Sequence, residues 1–270
     1  MCRWLAYSGP SIAMDQLLLR PKHSLLAQSL HAWESTFEVN ADGFGIGWYT
    51  DRDTPGVYHD TRPAWNDRNL ASITAHIRSS MFLGHVRAAV GSAVVRTNCH
   101  PFRNGAWLFQ HNGAIAGFDR IKHRLDMQIH ETLYAGKVGQ TDSETMFLLS
   151  LTFGLDEDPF GGLCRMIEAV EKAREEAGIE ESFHMTVAAT NGRAIHSARH
   201  ASFGPQPSLY HSCPNMILGA SDGSQIPLGE SGCLVVSEPL DELSEDWIEV
   251  PESSRLLIKD GTAKIGSLFG

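Results

Sequence analysis

A cysteine stands at position 2, directly after the initiating methionine. Removal of Met1 would place a thiol and a free α-amino group on one residue. A thiol ionises near about 8.5 and an α-amino group near roughly 7.7–8.0, so the amine is a base at neutral pH beside a nucleophile. This is the activated-nucleophile arrangement drawn into a single amino acid. Arg87 closes Gly84-His85-Val86-Arg87, where a guanidinium among small residues either faces solvent or binds a carboxylate bidentately. Asn112 and Gly113, in His111-Asn112-Gly113, read as a turn, but they also offer a side-chain amide and a backbone N–H suited to an oxyanion. Asp142, in Thr141-Asp142-Ser143-Glu144, reads as part of a helix cap and also as a fixed carboxylate for a substrate ammonium.

Other chemistries fit less well. His85, Cys99, His100 and His111 raise the question of zinc, yet their spacings match no compact zinc pattern, and no metal is expected. Pro101 instead fixes a turn in which Asn98 and His100 bond to local backbone. The glycines of Asn40–Trp48 do not follow the spacing of a dinucleotide loop. They read as a strand that another backbone or a ligand approaches closely, and no cofactor is expected.

These residues need a scaffold, and the composition bounds it. The 22 Lys and Arg against 32 Asp and Glu leave a net charge of −10, which argues against nucleic-acid or anionic-membrane partners. Five widely spaced cysteines with no CxxC pair exclude a disulfide framework. No apolar run has transmembrane length, and MCRWLAYSGP lacks a signal-peptide core, so a cytoplasmic protein is expected. Residues 3–8 read as a buried strand that holds Cys2. Helices are expected over 24–32, 66–79 with Asn66 as cap, and 159–177, and a capping box at 141–144 precedes the apolar run 146–151. Strands are expected over 43–49, 81–87 and 106–110, the last ending in the turn at 111–113. More strands are expected at 183–190, 215–221, 232–237, 247–250, 255–259 and 262–265. Strands, helices, then strands again is an α+β order with antiparallel sheets, not the alternation of a doubly wound sheet.

Taken in order, Met-Cys-Arg, Asn40-Ala41-Asp42-Gly43-Phe44-Gly45-Ile46-Gly47, Gly84-His85-Val86-Arg87, Asn98-Cys99-His100-Pro101-Phe102, His111-Asn112-Gly113 and Asp142-Ser143-Glu144 resemble the class II glutamine amidotransferases. These are N-terminal-nucleophile (Ntn) hydrolases. Val235-Val236-Ser237-Glu238-Pro239 resembles the family too, so the likeness spans most of the chain. It is nearest to the short stand-alone γ-glutamyl amidases. The resemblance implies a single domain over residues 2–270, built as a four-layer αββα sandwich. It implies Cys2 as nucleophile, Asn112 and Gly113 as oxyanion hole, Arg87 on the substrate α-carboxylate and Asp142 on its α-ammonium. The expected partner is a small γ-glutamyl substrate, cleaved through a cysteine thioester. Fused members of the family carry a synthase domain that uses the ammonia, and no such domain or nucleotide motif is evident here. A glutaminase subunit that gives ammonia to a separate synthase, a non-catalytic amino-acid-binding module, and a homo-oligomer all stay open.

Overall fold

The computed structural model describes residues 2–34, 39–89, 91–242 and 244–269. Met1, whose removal the sequence reading requires, lies outside them. Strand β1 (Arg3–Ala13) starts one residue after Cys2, and its first five residues are buried. A strand apolar on both sides needs a sheet covered on both faces. In chain order follow α1 (Asp15–Leu18), α2 (Leu25–Leu30), β2 (Phe44–Trp48), β3 (Gly56–Asp60), α3 (Arg68–His76) and β4 (Arg78–Val86). Next come β5 (Phe102–Asn104), β6 (Trp107–Ile115), α4 (Phe118–Asp126), α5 (Glu131–Tyr134), α6 (Asp142–Thr152) and α7 (Pro159–Glu176). The rest is strand: β7 (Phe183–Thr190), β8 (Ile195–Ala201), β9 (Tyr210–Ser212), β10 (Ile217–Gly219), β11 (Gln225–Pro227), β12 (Cys233–Val236), β13 (Trp247–Glu249), β14 (Ser254–Lys259) and β15 (Thr262–Ser267).

Seven strands form one antiparallel sheet in the order β13-β9-β12-β1-β4-β2-β3. Six form a second, β15-β14-β8-β7-β6-β5. The two-residue period of β1 assigns its side chains to two cores. Trp4 and Ala6 point between the sheets, with Leu83, Leu108, Ala188, Ile195, Val235 and Leu256. Leu5 and Tyr7 point outward and join Phe44, Phe82 and the helix residues Leu17, Leu18, Leu25 and Leu70. On the far side, Ile121, Leu125, Phe147, Met166 and Val170 cover Phe109, Phe183, Met185 and Val187 of the second sheet. The result is the expected four-layer αββα sandwich with two antiparallel sheets.

Three local expectations are corrected. His111-Asn112-Gly113 is no turn: β6 runs through it to Ile115, with Asn112 opposite Thr186 and Gly113 opposite Met185. Pairing with a central strand overrides the local Asn-Gly signal. The cap of α3 is Asp67 rather than Asn66, because the Asp67 carboxylate accepts from Asn69 N and Leu70 N at 2.7 and 2.9 Å. At α6 the capping box is half made. Thr141 Oγ1 accepts from Glu144 N at 3.2 Å, while the Glu144 carboxylate turns to Val138 N and Gly139 N instead.

Candidate active site

The sheets bring the predicted groups to one place. A cleft of about 680 Å³ is lined by Cys2, Arg87, Gly113 and Asp142, with His100, His111 and His184 beside them. Cys2 is half-buried at the head of β1, and its thiol faces the Ala88 carbonyl, 3.7 Å away. Burial pushes the thiol up from its ordinary value, and Asp142 adds to the rise, against the pull of Arg87. A thiol held protonated needs a base to ionise it, which the α-amino group of a terminal Cys2 would supply.

Arg87 follows the last residue of β4 and is 3% exposed. Its Nη1 donates to Asp42 O at 3.3 Å, and its Nη2 to Ser92 Oγ at 2.6 Å and Ala93 O at 3.3 Å. These bonds use three of five N–H groups, so among the described residues Nε–H and one Nη1–H are left to donate to a ligand. Asp42 fixes the turn from the other side, where its Oδ2 accepts from Ala89 N at 2.8 Å. The glycines between Asp42 and Trp48 answer a packing demand. A Cβ on Gly45 would stand 2.1 Å from the His100 carbonyl oxygen, so only glycine lets the His100–Pro101 segment lie against β2.

Asp142 opens α6, where a carboxylate is favoured by the helix dipole. Its Oδ2 accepts from Ile115 N at 3.0 Å, and its Oδ1 from Ser143 N at 2.7 Å and Ser143 Oγ at 3.2 Å. Three of roughly four acceptor sites are filled, leaving one for an ammonium. With the Ser143 hydroxyl proton on Asp142, His111 Nδ1–H donates to Ser143 Oγ at 2.8 Å. Burial keeps His111 below its ordinary value and hence neutral.

Asn112 is 1% exposed and is not itself on the cleft wall, unlike its neighbour Gly113. Among the described residues, both side-chain polar atoms of Asn112 lack a hydrogen-bond partner. A buried amide donor left unsatisfied is costly, and a ligand oxygen could accept from its Nδ2. Gly113 has φ +148°, and a Cβ there would meet the His184 carbonyl oxygen at 2.0 Å.

His100 departs from its expected role. It is buried and stacks on His85 with ring centroids 4.2 Å apart, and among the described residues neither of its nitrogens has a partner. Asn98 does bond local backbone, donating to Ala93 O at 3.0 Å, but its Oδ1 also accepts from Gln140 N at 3.0 Å. It thereby ties the loop after Arg87 to the loop before Asp142. Among the described residues, no group of three or more His, Cys, Asp or Glu is placed to hold a metal ion. Asp42, Asn98, Ser143 and Glu144 were missed as supports of the site. Their one sequence signal is that each is a polar residue inside or beside a motif that carries a candidate.

A family model described as glutamine amidotransferases class-II matches residues 21–198. The chain belongs to the class II glutamine amidotransferases. It is similar to a probable glutamine amidotransferase, DUG3, of Saccharomyces cerevisiae, with 31% identity over 296 positions, 97% of this chain and 83% of the relative. It is similar to a γ-glutamyl-hercynylcysteine sulfoxide hydrolase of Mycolicibacterium smegmatis, 33% identical over 117 residues, 43% of this chain and 52% of that protein. Among solved structures, a glutamine aminotransferase class-II domain protein from Silicibacter pomeroyi superposes with a TM-score of 0.74. That match has 32% identity and covers 98% of this chain and 99% of the other. The glutamine phosphoribosylpyrophosphate amidotransferase of B. subtilis shares the fold, with a TM-score of 0.61 and 16% identity over 49% of its own length. No helix among the described residues of this class II amidotransferase is long and apolar enough to cross a membrane.

Proposed function

We propose that this class II amidotransferase hydrolyses a γ-glutamyl amide through a thioester on Cys2. The carrying observation is a single cleft that sets one buried cation, Arg87, and one fixed anion, Asp142, around a thiol. A γ-glutamyl group has the matching features: an α-carboxylate, an α-ammonium and, on its side chain, an amide carbonyl. Arg87 binds the carboxylate and Asp142 the ammonium. The Cys2 α-amino group takes the thiol proton as sulfur attacks the amide carbon. The side-chain amide of Asn112 and the N–H of Gly113 hold the oxyanion. The tetrahedral intermediate expels the amine, which receives the proton from the α-ammonium. Water, deprotonated by the Cys2 α-amino group, then attacks the thioester; glutamate leaves, and the resulting α-ammonium returns the proton to the sulfur.

The relatives' names include both a glutamine amidotransferase and a γ-glutamyl hydrolase. The test compares kcat/KM for free glutamine and a panel of substituted γ-glutamyl amides. Preference for a substituted amide by tenfold, about 1.4 kcal/mol of transition-state binding, is the expected result. Preference for glutamine, with activity rising only when a synthase is added, would replace the hydrolase with the ammonia-giving reading. Ligand binding without turnover in protein shown by mass to lack Met1 would leave an amino-acid-binding module.

A further inference from the structure

The segment Val235-Val236-Ser237-Glu238-Pro239 has no part in the chemistry above, yet it lies against the residues that follow Cys2. Val235 and Val236 pair with Ala6 and Leu5. Ser237 N donates to Trp4 O at 3.0 Å, and Trp4 N donates to Ser237 Oγ at 2.9 Å. Beyond that point side chains replace the strand pairing. Glu238 is fully buried. Its Oε2 accepts from Arg3 Nε at 2.7 Å and Glu34 N at 3.0 Å. Its Oε1 accepts from Trp33 N at 2.7 Å and from His23 Nε2. Arg3, 1% exposed, then reaches forward: its Nη1 donates to the Cys2 carbonyl oxygen at 2.9 Å.

A terminal residue has no preceding peptide to hold it, and chain ends fray unless tied down. For a terminal Cys2 the carbonyl oxygen is the one backbone acceptor available as a tether. A guanidinium is a rigid fork, and a carboxylate fixes its plane through charge-assisted bonds. We propose that Glu238 is a positioning residue which, through Arg3, fixes the Cys2 carbonyl and so sets where the thiol and its amine base point. This rests on Cys2 being the nucleophile. Burial pushes the Glu238 carboxyl up, but the His23, Trp33, Arg3 and Glu34 donors outweigh it and hold it at about 2, so the clamp is charged at any working pH. Removing one partner of a buried ion pair leaves the other charge uncompensated and strongly destabilises the fold, so a positioning role shows only in the rate of the folded fraction.

The experiment uses the full chain with Met1 removal verified by intact mass for each variant. Glu238→Gln and Arg3→Met are compared with the unaltered protein in thermal unfolding, in kcat and KM, and in saturable alkylation by a glutamine-like chloroketone. A displacement near 1 Å costs about 10²-fold, so kcat and the maximal alkylation rate should fall by roughly that factor. KM and the half-saturating chloroketone concentration should stay within about threefold, because Arg87 and Asp142 are untouched. Arg3→Met keeps the packed volume and serves as the deciding variant if Glu238→Gln does not fold. Arg3→Lys, which can still donate to the carbonyl, should recover part of the rate. Unchanged kcat and alkylation in a folded variant would overturn the positioning role, as would a loss matched by the unfolded fraction alone. Absence of label on Cys2 in the unaltered protein would instead overturn the nucleophile, and the positioning role with it.

Discussion

Gly113→Ala tests the proposed oxyanion site by a single methyl group. The added Cβ would lie 2.0 Å from the His184 carbonyl oxygen and 2.8 Å from Met185 Cα, both backbone atoms of β7. That is about 1.4 Å short of ordinary contact, and a central strand cannot swing a backbone atom aside as a surface side chain could. The φ of +148° adds strain for any residue with a Cβ. Strands β6 and β7 must therefore separate, moving the residue 113 N–H by about 1 Å, which predicts a loss near 10²-fold in kcat. Overpacking of this kind costs about 1–3 kcal/mol, and a domain of this size loses roughly 2–4 °C per kcal/mol. The assay is kcat and KM for a γ-glutamyl amide beside a thermal melt. KM should change little, since the donor acts mainly in the transition state. Retention of kcat within threefold, together with the expected drop in melting temperature, would show that the strand moved and the N–H at 113 does not serve the oxyanion.

Two further outcomes are expected. Asp142→Asn should lower kcat/KM about 10- to 150-fold, the effect of losing a hydrogen bond of about 1.5–3 kcal/mol to a charged group, mostly as a raised KM. A substrate without the α-amino group should suffer no such loss, and an equal loss for both substrates would remove Asp142 from the ammonium site. Stability should depend on pH in two windows. Burial holds His85 down to about 3 and His100 well below its ordinary value, so the unfolded chain takes up these protons first and stability should fall as pH drops below about 6.5. Glu238, held at about 2, contributes stability above its unfolded value of about 4.3 that is lost as pH falls toward 2. A denaturation midpoint flat from pH 7 to 5 would contradict the first window.

What could be read from the sequence follows physical range. Helix α7 was legible because Leu163, Met166, Ile167 and Val170 repeat at helical spacing and Gly178, with φ +60°, stops it. The candidate residues were legible because thiol, guanidinium, amide and carboxylate each allow few chemistries. Strand β8 was missed because His196, Ser197, Arg199 and His200 break its apolar pattern, although Ser197, Arg199 and His200 are buried. Helix α4 was missed because only Ile121, Leu125 and Asp126 are buried in a charged segment. The strand through Asn112 was read as a turn because its partner, β7, begins about seventy residues later in the chain, at Phe183. The bond between Arg3 and Glu238 spans 235 positions, and no local pattern could announce it.

The central place of β1 also sets an order of events during synthesis. Strand β4, one neighbour of β1, ends at Val86, but the other, β12, begins only at Cys233. Until the ribosome has made residues 233–238, the β12 edge of β1 lacks its partner and the Cys2 carbonyl lacks the carboxylate that steadies its tether. Strand β1 is made well before the partner that completes its sheet. A chain interrupted before Cys233 would carry Cys2 without the β12 pairing and the Glu238 clamp that set its direction, so premature products should be inert rather than loosely active.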